Sequence, residues 1–258
     1  MPEIKNIVII GAGNVGTHLA LALKKAGYHI SQVAGRKEFA VVSLARALDT
    51  EYTFSFDEIN KSADLYLMAL PDGVMGMVLP HLGLHNGLLV HTSGSVPIDI
   101  LKPYSANTGV LYPLQTFTRI RAINLQEVPF MIEASNTPCE EALSRLAAKL
   151  SDHVYTVDSI KRQELHIAAV FASNFSNHML NMSRLLMEVH GLDFALLAPL
   201  IRETTAKALE LGPQKAQTGP ALRKDMEIIE KHIAMLKDKP KVQELYRLIT
   251  QNIIDQNK

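Results

Sequence analysis

Near its start the chain runs from Ile4-Lys5-Asn6-Ile7-Val8-Ile9-Ile10 directly into Gly11-Ala12-Gly13-Asn14-Val15-Gly16, and on into an amphipathic stretch from Asn14 to Ala26. That order admits few folds. Residues 4–10 are rich in β-branched side chains, as a strand buried on both faces requires. Leu19, Leu23 and Ala26 share one helical face, and Gly27 stands where a helix C-cap glycine is expected. Between strand and helix each glycine has its own task. Gly11 makes the tight turn, Gly13 lets the main chain approach a diphosphate, and Gly16 lets the helix pack closely on the strand. The helix N-terminus adds unpaired N–H groups and a positive dipole end. Gly11, Ala12, Gly13, Asn14, Val15 and Gly16 are therefore the expected cofactor-binding loop.

The alternation continues. Residues 29–34 read as a second strand and 38–48 as a second helix, with a weaker helix around 57–62. Further strands are expected at 64–70, 87–93, 108–112, 128–134 and 153–157. Between the last two, Thr137 at N-cap, Pro138 at N1 and Glu140 at N3 form a capping box. Repeated βα units predict a mostly parallel sheet with helices on both faces. Past about residue 160 the strand signals stop. One long helix is expected over 161–190, and a second from an Asp193 N-cap to Leu211, kinked by Pro199. A third follows Thr218-Gly219-Pro220 with Leu222, Met226, Ile229, Ile233 and Leu236 on one face, and a fourth runs from Pro240 to about Ile254. The fold class is thus α/β: an N-terminal doubly wound Rossmann domain over 1–158 and a C-terminal all-helical domain over 159–258. At ~100–200 residues per domain, 258 residues allow one large domain or two ordinary ones.

The end of the second strand selects the dinucleotide. A site for NAD commonly places Asp or Glu about 20 residues beyond the last glycine, on the ribose 2′-hydroxyl. Here Gly35-Arg36-Lys37 occupies that place, with no carboxylate before Glu38. Two cations suit a 2′-phosphate, so NADP is the expected cofactor.

Ligands in a doubly wound sheet lie outside the carboxyl ends of the strands. Leu70-Pro71-Asp72 is placed to contact the nicotinamide ribose. His91-Thr92-Ser93-Gly94-Ser95 concentrates hydroxyls, a glycine and an imidazole at a strand end, and Tyr112–Phe117 closes the next strand. Hydroxyls and main-chain N–H groups suit a carboxylate or carbonyl, and a histidine delivers protons near neutral pH. On the helix from Lys161, His166, Val170, Ser173 and Asn177 fall in one stripe with Asn174 beside it. Lys161 and Arg162 sit at that helix's N-terminus, where the dipole disfavours cations, which suggests another use for them.

Composition narrows the partners. The 26 Lys+Arg balance 26 Asp+Glu, which gives no basic field for nucleic acid. A lone cysteine, Cys139, permits neither an intrachain disulfide nor a thiolate zinc cage, so no metal is expected. No apolar run approaches the roughly 18 residues of a membrane span. The expectation is a cytoplasmic protein that binds a small-molecule substrate and neither nucleic acid nor membrane.

Taken together, GAGNVG at 11–16, ALPD at 69–72, HTSGS at 91–95, YPLQTF at 112–117, HIAAVFASNF at 166–175 and TGPALRKD at 218–225 resemble a known family. It comprises bacterial proteins with a Rossmann-like domain followed by a domain of unknown function, DUF2520, assigned as NADP oxidoreductases. The resemblance spans nearly all of the chain. More distantly the chain is similar to pyrroline-5-carboxylate reductase, the 6-phosphogluconate and β-hydroxyacid dehydrogenases, and deazaflavin-dependent NADP reductases. These likenesses imply a cofactor along the sheet edge, substrate between the domains, and a homodimer through the helical domain. Ser93-Gly94 matches part of the Ser-Gly-Gly substrate loop of the β-hydroxyacid enzymes, but Ser95 replaces its last glycine. Val170 stands where their catalytic lysine is expected, which argues against an alcohol-oxidising mechanism. The expected activity is reduction of a carbonyl or imine, with His91 or His166 as proton donor and Ser93, Ser95 and Asn174 orienting substrate. Two alternatives stand beside it: an NADP(H) sensor without turnover, and hydride exchange between NADP and a deazaflavin.

Overall fold

The computed structural model describes residues 3–84 and 86–257. The chain divides into two compact units, Met1–Asn174 and Phe175–Lys258. The first is built on an eight-stranded sheet: β1 (Asn6–Ile10), β2 (His29–Ala34), β3 (Glu51–Thr53), β4 (Leu65–Met68), β5 (Leu88–His91), β6 (Thr108–Pro113), β7 (Phe130–Ala134) and β8 (Val154–Thr156). The strand order is β3-β2-β1-β4-β5-β6-β7-β8. Neighbours run parallel except β6 and β7. The chain order reverses between β1 and β4, so the loops after these two strands flank the crevice where a doubly wound sheet binds its ligand.

The register explains the pattern of side chains. Ile7 and Ile9 of β1 join one apolar layer with Leu65, Leu67, Leu88 and Val90, whereas Val8 and Ile10 join the opposite layer with Tyr66, Met68 and Leu89. A strand wrapped on both faces must be apolar throughout, as residues 7–10 are. Helices α1 (Asn14–Lys25), α2 (Glu38–Leu48), α3 (Asp72–Leu82) and α4 (Thr137–Ala148) cover the sheet. Helix α1 ends as expected at Gly27, whose φ is +94°. Its N–H bonds the Lys24 carbonyl and the Tyr28 N–H bonds that of Leu23, a Schellman closure.

Several local expectations change. The weak helix at 57–62 is a 3₁₀ turn at Phe56–Glu58, preceded by the short edge strand β3. Helix α4 is capped by Asn136, whose side chain accepts from the Cys139 N–H, so Thr137 is its first residue and the capping box is absent. Pro199 lies in the first turn of its helix, where no N–H is needed, and not in a kinked interior. The helix after Gly219 breaks at Lys224, which adopts φ +55°, and restarts with Asp225 as N-cap.

The helix expected over 161–190 begins earlier, as α5 (Ser159–Ala169). It passes through a π-helical turn at Val170–Phe175 and continues as α6 (Ser176–Glu188). The two compact units meet at 174/175, and α5 is bound to the sheet unit. Arg162 bonds Glu133 of β7 and the Val96 carbonyl, and Gln163 bonds the Ser95 carbonyl. The second unit holds the remainder: α7 (Ala198–Leu211), α8 (Pro213–Ala216), α9 (Pro220–Arg223), α10 (Met226–Met235) and α11 (Pro240–Gln256). Among the described residues no helix is long and apolar enough to cross a membrane.

Candidate active site

The three glycines divide the labour. A Cβ on Gly11, at φ +110°, would lie 2.3 Å from the Ala69 carbonyl oxygen, and one on Gly16 would lie 2.0 Å from the Gly11 oxygen. Both positions exclude any side chain, Gly11 because the loop after β4 lies against it and Gly16 because α1 packs on the Gly11 main chain. Gly13 differs. Its backbone is ordinary extended chain (φ −78°, ψ −170°), and an added Cβ would meet nothing within 4 Å. Two glycines therefore build the fold, while the third keeps a space open before the N-terminus of α1. The first N–H groups of a helix have no intrahelical acceptor, so that space is bounded by main-chain donors and a positive dipole end. These features fit the diphosphate of a dinucleotide.

At the end of β2, Gly35 is buried, with a Cβ position 3.0 Å from a Val41 methyl. Arg36 and Lys37 are exposed. The Arg36 guanidinium stands 5.8 Å from the centre of the Phe56 ring, and Lys37 precedes α2 at its N-cap position. Among the described residues neither forms an ion pair with a carboxylate.

A cleft of about 790 Å³ opens at the carboxyl edge of the sheet. The glycine loop contributes Gly13, Asn14 and Val15 to it, and the turn after β4 contributes Leu70, Pro71 and Asp72. Thr92 to Ser95, Tyr112 to Phe117, and His166, Ser173 and Asn174 complete the walls. Ser93, His166 and Asn174 thus line one cleft. The buried residues Gly11, Ala12 and Gly16 shape the loop without lining the cleft, and Gly35, Arg36 and Lys37 stand apart from it at the β2 end.

His91 does not reach the cleft, and the expectation that it donates a proton is corrected. It is fully buried, and its Nδ1 accepts the Ser93 N–H at 3.2 Å. Burial and then the nearby Arg162 charge lower its pKa to about 4, outweighing the upward pull of the Pro97 carbonyl and Asp72. Near neutral pH it is an uncharged imidazole that shapes the turn after β5. Ser93 has a similar local task, since its Oγ accepts the N–H groups of Ser95 and Val96 at 3.1 and 3.0 Å. As an acceptor of both bonds, it keeps its own hydrogen to offer. Ser95 is tied to Asp72 through its hydroxyl.

The arrangement supplies an acid that sequence reading passed over. The Tyr112 hydroxyl lies 3.1 Å from His166 Nδ1, with the rings edge to face at 5.9 Å. Burial raises the Tyr112 pKa, against a smaller opposite pull from Arg162. The phenol therefore stays protonated, and it shares a hydrogen bond with Nδ1 in which its oxygen can donate or accept according to the ring tautomer. Gly94 makes room for this pair: a Cβ there would lie 2.6 Å from His166 Nδ1 and 2.8 Å from Tyr112 Cζ. The only available signal was Tyr112's place at the end of a strand. Nothing local links it to a histidine 54 residues away.

Arg162 explains the unfavourable cation at the start of α5. It is fully buried, bonds Glu133, and reaches the Val96 carbonyl at 2.6 Å and Ser159 Oγ at 3.2 Å. Lys161 is instead an exposed partner of Asp158 and contributes nothing to the cleft. The Arg162 clamp, with Gln163 on the Ser95 carbonyl at 2.7 Å, holds the next turn of α5, and hence His166, against the 93–96 loop. Farther along, the wide π turn brings both Ser173 and Asn174 to the cleft wall. Single π turns occur frequently at functional sites. Cys139 is buried in the apolar layer of Ile7 and Ile9, with Sγ against Asn107 Oδ1 at 3.5 Å.

Comparison with known proteins agrees with this architecture. A Rossmann-like domain model matches residues 2–116, and the model of DUF2520, a domain of unknown function, matches residues 128–253. A Bacteroides fragilis protein, named as a candidate NADP oxidoreductase, is 41% identical in sequence; its crystal structure superposes with a TM-score of 0.93, covering 98% of each chain. An imine reductase from Myxococcus stipitatus in complex with NADP+ is 16% identical, with a TM-score of 0.66 over 97% of this chain and 92% of its own. Plasmodium falciparum pyrroline carboxylate reductase with NADP bound is 13% identical, with a TM-score of 0.59 over the full length of both. The latter two likenesses are of fold. No curated protein matches the chain.

Proposed function

The chain belongs to the family that joins a Rossmann-like domain to a DUF2520 domain, and from that premise we propose that it is an NADP(H)-dependent oxidoreductase acting on a small carbonyl or imine. The observation that carries this reading is the Tyr112–His166 pair on the wall of a cleft that also contains Gly13 of the dinucleotide loop. Bound along that loop, the cofactor supplies hydride. The chain's own residues do the rest. The Tyr112 O–H gives its proton to the oxygen or nitrogen that gains charge as the double bond is reduced. His166, at hydrogen-bond distance through Nδ1, holds the Tyr112 oxygen in place, and a proton from solvent restores the phenol. Ser93 and Asn174 orient the substrate from either side. A sensor without turnover needs no acid beside the nicotinamide, and the Tyr112–His166 pair is what favours the reductase over it.

Substrate-dependent oxidation of NADPH, followed at the nicotinamide absorbance across a panel of small imines and carbonyls, tests the reading. A protein that binds NADPH but oxidises it with none of them supports the sensor instead. For cofactor choice, Arg36→Asp is expected to move the ratio of NADPH to NADH affinity toward NADH by roughly 10- to 100-fold, the worth of one charge-assisted hydrogen bond. An unaltered ratio places the 2′-phosphate elsewhere.

A homodimer through residues 175–258 forms part of this proposal. Helices α6 and α7 contain no buried residue, and Leu185, Val189, Leu196, Leu200 and Leu209 are all exposed. So much apolar surface on one unit is characteristic of an interface. Sedimentation equilibrium at micromolar concentration should return twice the 28.5 kDa chain mass; a monomer would count against this part of the reading.

A further inference from the structure

The stretch after β6 lies across the glycine loop, and three side chains fasten it there. Asn14 Nδ2 donates to the Phe117 carbonyl at 2.9 Å, and His18 Nε2 meets the Thr118 carbonyl at the same distance. Arg119 donates from one terminal nitrogen to the carbonyl of Ala12, inside the glycine motif itself. These bonds join residues 100 to 107 positions apart. Phe117 is buried beneath them, its ring 5.3 Å from that of His18. Asn14 and Phe117 both line the cleft.

Charge makes this contact more than a latch. A dinucleotide diphosphate is a dianion. No Lys or Arg side chain is among the residues lining the cleft, whose only carboxylate is Asp72. Arg36 and Lys37 stand at the ribose end, beyond β2. Among the described residues, Arg119 is the one cation that hydrogen-bonds the glycine loop. A guanidinium has five N–H donors in a rigid fork. Arg119 uses one nitrogen on Ala12, and the side chain remains exposed.

We propose that Arg119 is a ligand of the cofactor's diphosphate, carried to the glycine loop by the 114–119 stretch, and that it supplies the cationic charge the loop lacks. This rests on the dinucleotide reading of Gly11–Gly16. The loop amides provide directional but uncharged donors; Arg119 provides charge and a second direction of approach. Asn14 and His18 hold the stretch that carries it, and act by position.

The test is calorimetric binding to the full chain. NADPH and ADP-ribose contain the diphosphate, whereas adenosine 2′-monophosphate, measured by competition, does not. Arg119→Ala should weaken NADPH and ADP-ribose by roughly 10- to 100-fold, leave adenosine 2′-monophosphate unchanged, and melt at the wild-type temperature. Arg119→Lys should recover part of the loss through its charge. Equal weakening of all three ligands would mean that Arg119 only fastens the loop, and would overturn the proposal, as would an unchanged NADPH affinity. A wild-type chain that binds none of them would remove the dinucleotide reading itself, a failure visible before any variant is made.

Discussion

Gly13→Leu is expected to fold and melt like the parent chain while its affinity for NADPH falls at least about a hundredfold. The reason lies in the contrast among three glycines. A side chain at Gly11 or Gly16 collides with main chain at 2.3 and 2.0 Å, so substitution there damages the fold and any loss of binding is uninformative. At Gly13 the backbone angles suit any residue, and an added Cβ meets no protein atom. Leucine therefore costs the fold little and occupies the space through which main-chain donors reach the diphosphate. A hundredfold is about 2.8 kcal/mol, at 1.4 kcal/mol per tenfold. Displacing a ligand from its main-chain donors loses more than one hydrogen bond of that class. The measurement is a paired one, a melting curve and a calorimetric titration on the same preparation. An NADPH titration that Gly13→Leu leaves unmoved would falsify the placement of the cofactor.

The second large effect belongs to the acid. Tyr112→Phe removes a single oxygen from a buried ring and leaves its packing in place. On whichever imine or carbonyl the parent reduces, kcat should fall by about 10²- to 10⁴-fold, the span associated with general acid catalysis, while the NADPH dissociation constant holds. His166→Ala should fall similarly, and the double variant should be little worse than either single one, because the two side chains work through one hydrogen bond. The pH profile gives an independent check. Burial raises the Tyr112 pKa above its ordinary value of 10.0, so the parent's rate should decline only at high pH, where the phenol ionises. Tyr112→Phe should lack that limb. Wild-type turnover in Tyr112→Phe would return the proton donor to another group, though not to His91, whose pKa of about 4 leaves it uncharged at neutral pH.

The role of His91 shows where reading along the chain stops. Its position, at a strand's carboxyl end beside two serines, is where a catalytic histidine is expected. What the strand's end does not disclose is which way the side chain turns. His91 is directed inward, with its Nδ1 on the Ser93 N–H, and Gly94 leaves its neighbouring face to His166. Arg162 is a similar case. A cation at a helix N-terminus is locally unfavourable and therefore conspicuous, but its partner Glu133 is 29 residues earlier, on an antiparallel strand.

What the amino-acid order determined by itself is local. The glycine loop, the unbroken apolar runs of the strands, the period of about 3.6 in the helices, the Gly27 helix stop and the change to an all-helical remainder each depend on residues within a few positions of one another. Short-range sterics and amphipathicity act at that range. The tertiary structure decided which groups from separate β-α units face the same space. Tyr112 meets His166, Arg162 joins β7 to the turn after β5, and Phe117 and Arg119 fold back on the glycine motif. Those encounters follow from strand order and register, which arise from packing the whole sheet between its two apolar layers, and no local periodicity encodes them.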